Sequence, residues 1–204
     1  MSKLLNQTDS PYLKLATGRI RQGDILRDIN FIYEWRLEDE SSNKYIVKNY
    51  EFAYTVVLSQ DCDLEQDSIN RGNTDDKNQD AYIPSILVCP AYTKAEFKKG
   101  VHLNDYNLLM EEIHSKQWDF IKSNRDPRYH YLMPDPNLQA AELVLDFKHF
   151  YTLPNKFLYA IYNDKYKIHY LASLKILFRE RLCQRFSYYI SRVGLPEIKK
   201  DNNS

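Results

Sequence analysis

Two runs of β-branched and aromatic residues constrain the fold most: Tyr45-Ile46-Val47 and the segment FAYTVVLS at 52–59 suit one strand leading into a second, buried one. Both belong in a core sheet. Ile86-Leu87-Val88-Cys89 is a short continuous apolar run closed by Pro90, the pattern of a buried strand with its stop signal. Upstream, GRIRQGDILRDINFI at 18–32 alternates in part and is interrupted at Gly23-Asp24 by a bulge or tight turn, which predicts a first strand. Residues 128–133 and 143–153 read as two more strands, separated by the turn-forming Pro134-Asp135-Pro136, and 167–172 as another. The 17 tyrosines and nine phenylalanines, against five glycines, point the same way, to half-buried strands and packed aromatic clusters.

Helical periodicity enters twice. Over 104–123, Tyr106, Leu109, Met110, Ile113, Phe120 and Ile121 recur at helical spacing, only Gln117 breaks the stripe, and Asn104 or Asp105 supplies the cap. Over 174–193, Phe178, Leu182, Phe186, Tyr189, Ile190 and Val193 share one face, and Gly194 with Pro196 gives the stop. That stripe is expected to pack onto the sheet, with Arg179, Arg181, Arg185 and Arg192 on a solvated face. The acidic stretch 60–80, with Asn70, Gly72 and Asn73 as turn signals, reads as a surface loop. The expectation is a single domain over 10–196, mainly β with helical additions (α+β), and a polar tail at 197–204.

Composition narrows the function classes. With 43% hydrophobic and 27% charged residues, the chain has enough apolar surface to offset the entropy of ordering. Its 28 basic and 28 acidic residues leave no global excess of charge to draw in nucleic acid, so only a local patch would do so. Cys62, Cys89 and Cys183 are an odd number at wide spacing with no CxxC pair, which is neither a disulfide framework nor a structural zinc site. The opening MSKLLNQTDS is too short and polar for a signal peptide, and no stretch approaches the ~18 apolar residues of a membrane span. A cytoplasmic protein, neither secreted nor membrane-spanning, is expected.

Three groups of residues carry candidate chemistry. Arg125, Arg128, His130 and Tyr131 lie within RDPRYHY, where guanidinium groups, an imidazole and aromatic faces suit phosphate contact and base stacking; on a strand Arg128 and His130 would share a face. The alternative is an exposed strand end with its tyrosines packed inward. Asp61, Asp63, Glu65 and Asp67 alternate strictly, so an extended chain would project four carboxylates to one side for a divalent metal, or simply form a solvated acidic strand end. Cys62, flanked by two aspartates that disfavour its thiolate, reads as structural; a nucleophilic role would need His130 or His102 beside it. No GxSxG, HExxH or P-loop pattern occurs, and no cofactor is called for.

Taken in order, Gly23-Asp24-Ile25, Val56-Val57-Leu58-Ser59, Ile86-Leu87-Val88-Cys89-Pro90 with Thr93, and Val144-Leu145-Asp146-Phe147 resemble successive strand signatures of the MazF/PemK family, and the closing helix falls in the matching place. The resemblance implies an SH3-like barrel with terminal helices, usually dimeric, found in toxin–antitoxin ribonucleases and related proteins. Insertions then fall at 33–50, 60–80 and 104–123. The family's ribonucleases use an arginine just before the proline that leads into the VVLS-type strand; here that register holds Ala53 and Tyr54. The polar position after the CP motif is occupied by Tyr92 and Thr93. The resemblance therefore implies the scaffold without the usual ribonuclease centre: a binding module for a protein partner or for RNA or DNA, possible as a homodimer and off the membrane, in a bacterial or phage conflict system. The alternative is a metal-independent RNA endonuclease in which Arg128 and His130 replace the missing arginine. A purely structural dimer is the third reading.

Overall fold

A computed structural model gives the fold for residues 10–14, 18–39, 44–71, 80–162 and 169–192. Its strands are β1 (Tyr12–Leu13), β2 (Asp24–Leu37), β3 (Tyr45–Val57), β4 (Ser85–Thr93), β5 (Tyr129–Leu132), β6 (Leu143–Asp146), β7 (Tyr151–Pro154) and β8 (Tyr170–Leu174). They form one curled antiparallel sheet in the order β1-β8-β2-β3-β4-β6-β5, with β7 also paired to β4. Five helices complete the α+β fold: α1 (Asp61–Asn70), α2 (Lys94–Lys98), α3 (Ser115–Lys122), α4 (Asn155–Tyr162) and α5 (Ile176–Ile190). Among the described residues no helix is long and apolar enough to cross a membrane.

β4 explains why its sequence is continuously apolar: both of its faces are buried. Ile86, Val88 and Tyr92 face one core, with Leu26, Ile29 and Phe52, and Cys89 and Ala91 face a second, with Val56, Leu145 and Phe147. Leu182 and Phe186 of α5 close the second core. Strand β4 runs on through Pro90 instead of stopping there. Leu87 sends its N–H to Ser59 Oγ and its carbonyl to Leu58 on the β3 side, so by alternation Pro90 faces the opposite edge. On that edge β7 pairs with residues 85–88 and β6 with 91–93, and the missing N–H falls in the gap between them.

Asp28 takes a left-handed φ of 53° opposite Ala53, a pair absent from the β2–β3 ladder, and the register shifts between Ile32 and Glu34. Beyond Asp28 and Ala53, β2 and β3 outrun their neighbours, since β8 pairs only with Asp24–Leu26 and β4 only with Thr55–Val57. Residues 33–39 and 44–50 are thus the end of a two-stranded ribbon. Trp35, Leu37, Tyr45 and Val47 lie on one face of it and are exposed, while Glu34 and Lys48 pair at 3.1 Å on the other.

Several expected elements take another form. Residues 45–47 and 52–59 join in one strand, β3, which ends at Val57, and 143–153 divides into β6, a 3-10 turn over Phe147–His149, and β7. The helix expected over 104–123 begins only at Ser115. Before it, a 3-10 turn (Asn104–Tyr106) ends at Asn107 in the left-handed region, and Met110 and Ile113 donate to the carbonyls of Gly100 and Lys98, which ties the segment along the end of α2. Gly100 (φ 69°) permits this, because a Cβ there would stand 2.2 Å from the Met110 carbonyl oxygen. The start of the expected loop 60–80 is the helix α1, while Gly72 and Asn73 lie outside the described residues, as do the beginning of the 167–172 strand, Val193, Gly194, Pro196 and the tail.

Candidate functional site

Helix formation over Asp61–Asn70 undoes the alternation of the four carboxylates, because a two-residue step on a helix turns by about 200°. Asp61 accepts both terminal nitrogens of Arg19 at 3.1 and 3.0 Å and lies 3.2 Å from Arg179, which together hold its carboxyl below the usual range against the opposing effect of burial. Asp67 is buried and accepts from Arg71, Asn155 and the Ile83 N–H. Asp63 and Glu65 are exposed. No group of three or more His, Cys, Asp or Glu side chains among the described residues is arranged to hold a metal ion. Cys62 is exposed on the first turn of α1, its sulfur 3.5 Å from Asp63 Oδ1, with neither His102 nor His130 among its hydrogen-bond partners.

The RDPRYHY residues separate. Arg125 lies over the Phe120 ring and donates to Ser123, and Tyr131 donates to Glu142 at 2.8 Å. Arg128 and His130 do not share a face, because Arg128 precedes β5 and its guanidinium turns to Asp146, whereas His130 is buried beside Phe147. Burial, with Arg185 and Arg181 nearby, pushes the His130 imidazole down to about 3. Thr93 is engaged too: it accepts from the Glu96 N–H and donates to the Glu96 carboxylate at 2.7 Å, as the N-cap of α2. Nor is the expected solvated face of α5 merely solvated, since Arg179 pairs with Asp61 and Arg185 donates to the carbonyls of Asn124, Asp126 and Tyr129.

Two of the sequence candidates, Tyr92 and Arg128, do come together, around the buried carboxylate of Asp146. Arg128 binds it in fork geometry, Nε to Oδ1 at 2.8 Å and Nη2 to Oδ2 at 2.5 Å. His149 Nδ1 lies 3.5 Å from Asp146 Oδ2 and 3.2 Å from the Tyr92 hydroxyl. The carboxylate favours the tautomer with its proton on Nδ1. The His102 ring lies tilted against two others, its centroid 4.5 Å from Tyr92 and 4.9 Å from Phe97. Strand register sets up this convergence: Tyr92 pairs with Val144, two residues before Asp146 on the same face of β6, and Asp146 pairs with Tyr129, the residue after Arg128.

Beside this cluster a cavity of about 280 Å³ is walled by Phe97, His102 and Tyr129, with Arg128, Glu111 and Gln117 also lining it. Neither ring nitrogen of His102 makes a hydrogen bond among the described residues, although both are buried; the Glu96 backbone is near enough to favour the protonated ring but not in bonding geometry. Burial first, and His149 next, push His102 down to about 4, against smaller opposing effects of Asp146 and Glu96. His149 is also lowered by burial, with Asp146 partly restoring it. At neutral pH the cluster therefore holds two neutral imidazoles and one guanidinium offset by one carboxylate. It offers aromatic faces, proton acceptors and directional donors, but no imidazolium to act as an acid.

The His102 shift links to stability. An unfolded histidine titrates near ~6.5, so the unfolded chain binds the extra proton first as pH falls. The stabilisation is present in full above that value and is lost progressively down to about 4. Urea unfolding at pH 7 and pH 5 should show His102→Phe losing less stability between the two than the parent; equal losses would contradict the buried, neutral assignment.

Two of the residues that matter here, Asp146 and His149, drew no attention in the sequence as chemistry. His149 three residues after an aspartate was the available signal, legible only with the 3-10 turn that brings it back on Asp146. A larger groove of about 570 Å³ between α1 and α5, lined by Leu58, Asp63, Leu87 and Phe186 among others, has no histidine, lysine or arginine among its described lining residues and offers no comparable chemistry. In comparisons with known proteins, no family model matches the chain and no curated protein matches it.

Proposed function

We propose that this chain is a nucleic-acid-binding module on a MazF/PemK-type SH3-like barrel, which takes one unstacked nucleotide of single-stranded RNA in the His102–Arg128 cavity without cleaving it. The observation that carries the reading is a cavity of nucleotide size in which an imidazole whose two buried nitrogens have no hydrogen-bond partner among the described residues stands among aromatic faces. A base inserted there stacks on Phe97, His102 or Tyr129, and Gln117 and Glu111 are suited to its polar edge. Arg128 keeps Nη1 without a hydrogen bond among the described residues, a donor suited to phosphate. Cleavage would need an acid for the leaving oxygen, and the depressed His102 and His149 do not supply a protonated imidazole at neutral pH. The bacterial or phage conflict setting implied by the resemblance accords with this reading.

The test is anisotropy of a labelled 12-mer of single-stranded RNA at low salt. Binding should weaken as salt rises, His102→Leu should weaken it about 5- to 150-fold, the span of one lost stacking contact of ~1–3 kcal/mol, and the RNA should be recovered intact. No binding at low salt, or a His102→Leu protein binding as well as the parent, would sink the proposal.

One observation favours a second reading, a protein partner or a second copy: the exposed apolar face of the ribbon, with Trp35 68% and Tyr45 56% accessible. A change of Trp35→Ser that removes a partner or self-association while sparing RNA binding would identify that face as the interaction surface.

A further inference from the structure

On the other side of β5 lies a smaller cavity, about 190 Å³, that the nucleotide reading leaves unused. His130, Lys122, Arg181, Ser123 and Asn124 line it together with apolar side chains, and no carboxylate is among its described lining residues. His130 is 4% accessible, and its Nδ1 is buried with no hydrogen-bond partner among the described residues. Arg181 stands close enough to oppose protonation of that ring and makes no hydrogen bond or ion pair among the described residues. Glu142 lies near Lys122, but it is already paired with Lys94 at 2.8 Å and accepts from Tyr131. The cavity thus combines a buried neutral donor, two flexible cations at the rim and no competing anion.

We propose that this cavity is a phosphate-monoester site. His130 donates from Nδ1, and Arg181 and Lys122 supply the charge, while Ser123 and Asn124 are held in the wall by bonds to the Asp119 carbonyl and the Tyr131 backbone. A neutral imidazole suits the role, because its N–H donates at physiological pH without burying a charge when the site is empty. Arg181 is an exposed side chain on α5, so it folds over an incoming anion without disturbing the packing of Leu182 beside it. Two sources share this chemistry, free phosphate and the 5′-phosphate of a nucleic acid.

Calorimetric titration with inorganic phosphate in chloride buffer tests the site on the intact chain. Saturable binding is expected, about tenfold or more weaker in Arg181→Ala and in His130→Phe, the latter keeping ring volume while removing the donor, and unchanged in Arg192→Ala. Absence of saturable heat, or the same affinity in all four proteins, would overturn the proposal. A second arm compares 5′-phosphorylated and 5′-hydroxyl forms of one single-stranded RNA. A preference for the phosphorylated form that Arg181→Ala abolishes assigns the site to nucleic-acid ends, and no preference, with phosphate binding intact, assigns it to the free anion. Only this arm rests on the nucleic-acid reading, so a failure of that reading leaves the phosphate titration able to stand or fall by itself.

Discussion

Phe186→Ala is expected to lower the melting temperature by on the order of 10 °C, the largest effect of any single change considered. Phe186 is 7% accessible and sits between Phe147 and Phe150, its ring centroid 5.4 and 5.5 Å from theirs, over the second core. Truncating a buried phenylalanine costs ~3–5 kcal/mol, out of a total stability of ~5–15 kcal/mol, and each ~1 kcal/mol moves the melt by ~2–4 °C at this size. The same stripe supplies its own control. Ile190 is 56% accessible and does not join the core, contrary to the expectation from periodicity, so Ile190→Ala should leave the melt within about a degree. Thermal melts run beside light scattering check both, and an unchanged Phe186→Ala melt accompanied by lost assembly would make the stripe a docking face.

Arg128→Met should cost nearly as much for a different reason. It strands the Asp146 carboxylate, whose side chain is 1% accessible, without its fork partner, and breaking a buried ion pair from one side costs ~3–5 kcal/mol. Replacing both partners removes the charge that has to be buried, so Arg128→Met/Asp146→Asn should be more stable than Arg128→Met alone. Urea unfolding of the two single variants and the double variant gives the coupling. Losses that simply add would show that the pair is not coupled and that Asp146 finds compensation elsewhere.

The parts of the fold that were legible in the sequence are those where one physical cause dominates. The apolar run through Cys89 is buried on two faces, and α5 shows helical period because Leu182 and Phe186 face a core. What misled was local pattern overruled by tertiary bonding. The 104–123 periodicity was real for Ile113 and Ile121, which are both buried, yet the carbonyls of Lys98 and Gly100 capture the backbone before Ser115 and leave Leu109 81% accessible. Pro90 reads as a stop because its missing N–H matters in a ladder, but the gap between β6 and β7 removes that cost. In the acidic run, alternation suggested an extended chain while Arg19, Arg179 and Arg71, distant or out of phase in sequence, were the partners that the carboxylates find on a helix. For the candidate site, Tyr92 and Arg128 carried visible chemistry. Their convergence on Asp146 and His149 depends on strand register, and Thr93 shows the converse, a polar side chain after Pro90 spent on capping α2.

The central claim, that a nucleotide enters the His102–Arg128 cavity, is tested most directly by photo-crosslinking. A single-stranded RNA carrying 4-thiouridine, irradiated on the intact protein and digested, should place its crosslinks on Phe97, His102 or Tyr129, and excess unmodified RNA should compete them away. Crosslinks confined to the ribbon residues Trp35 and Tyr45, or scattered over the surface and indifferent to competitor, would contradict it.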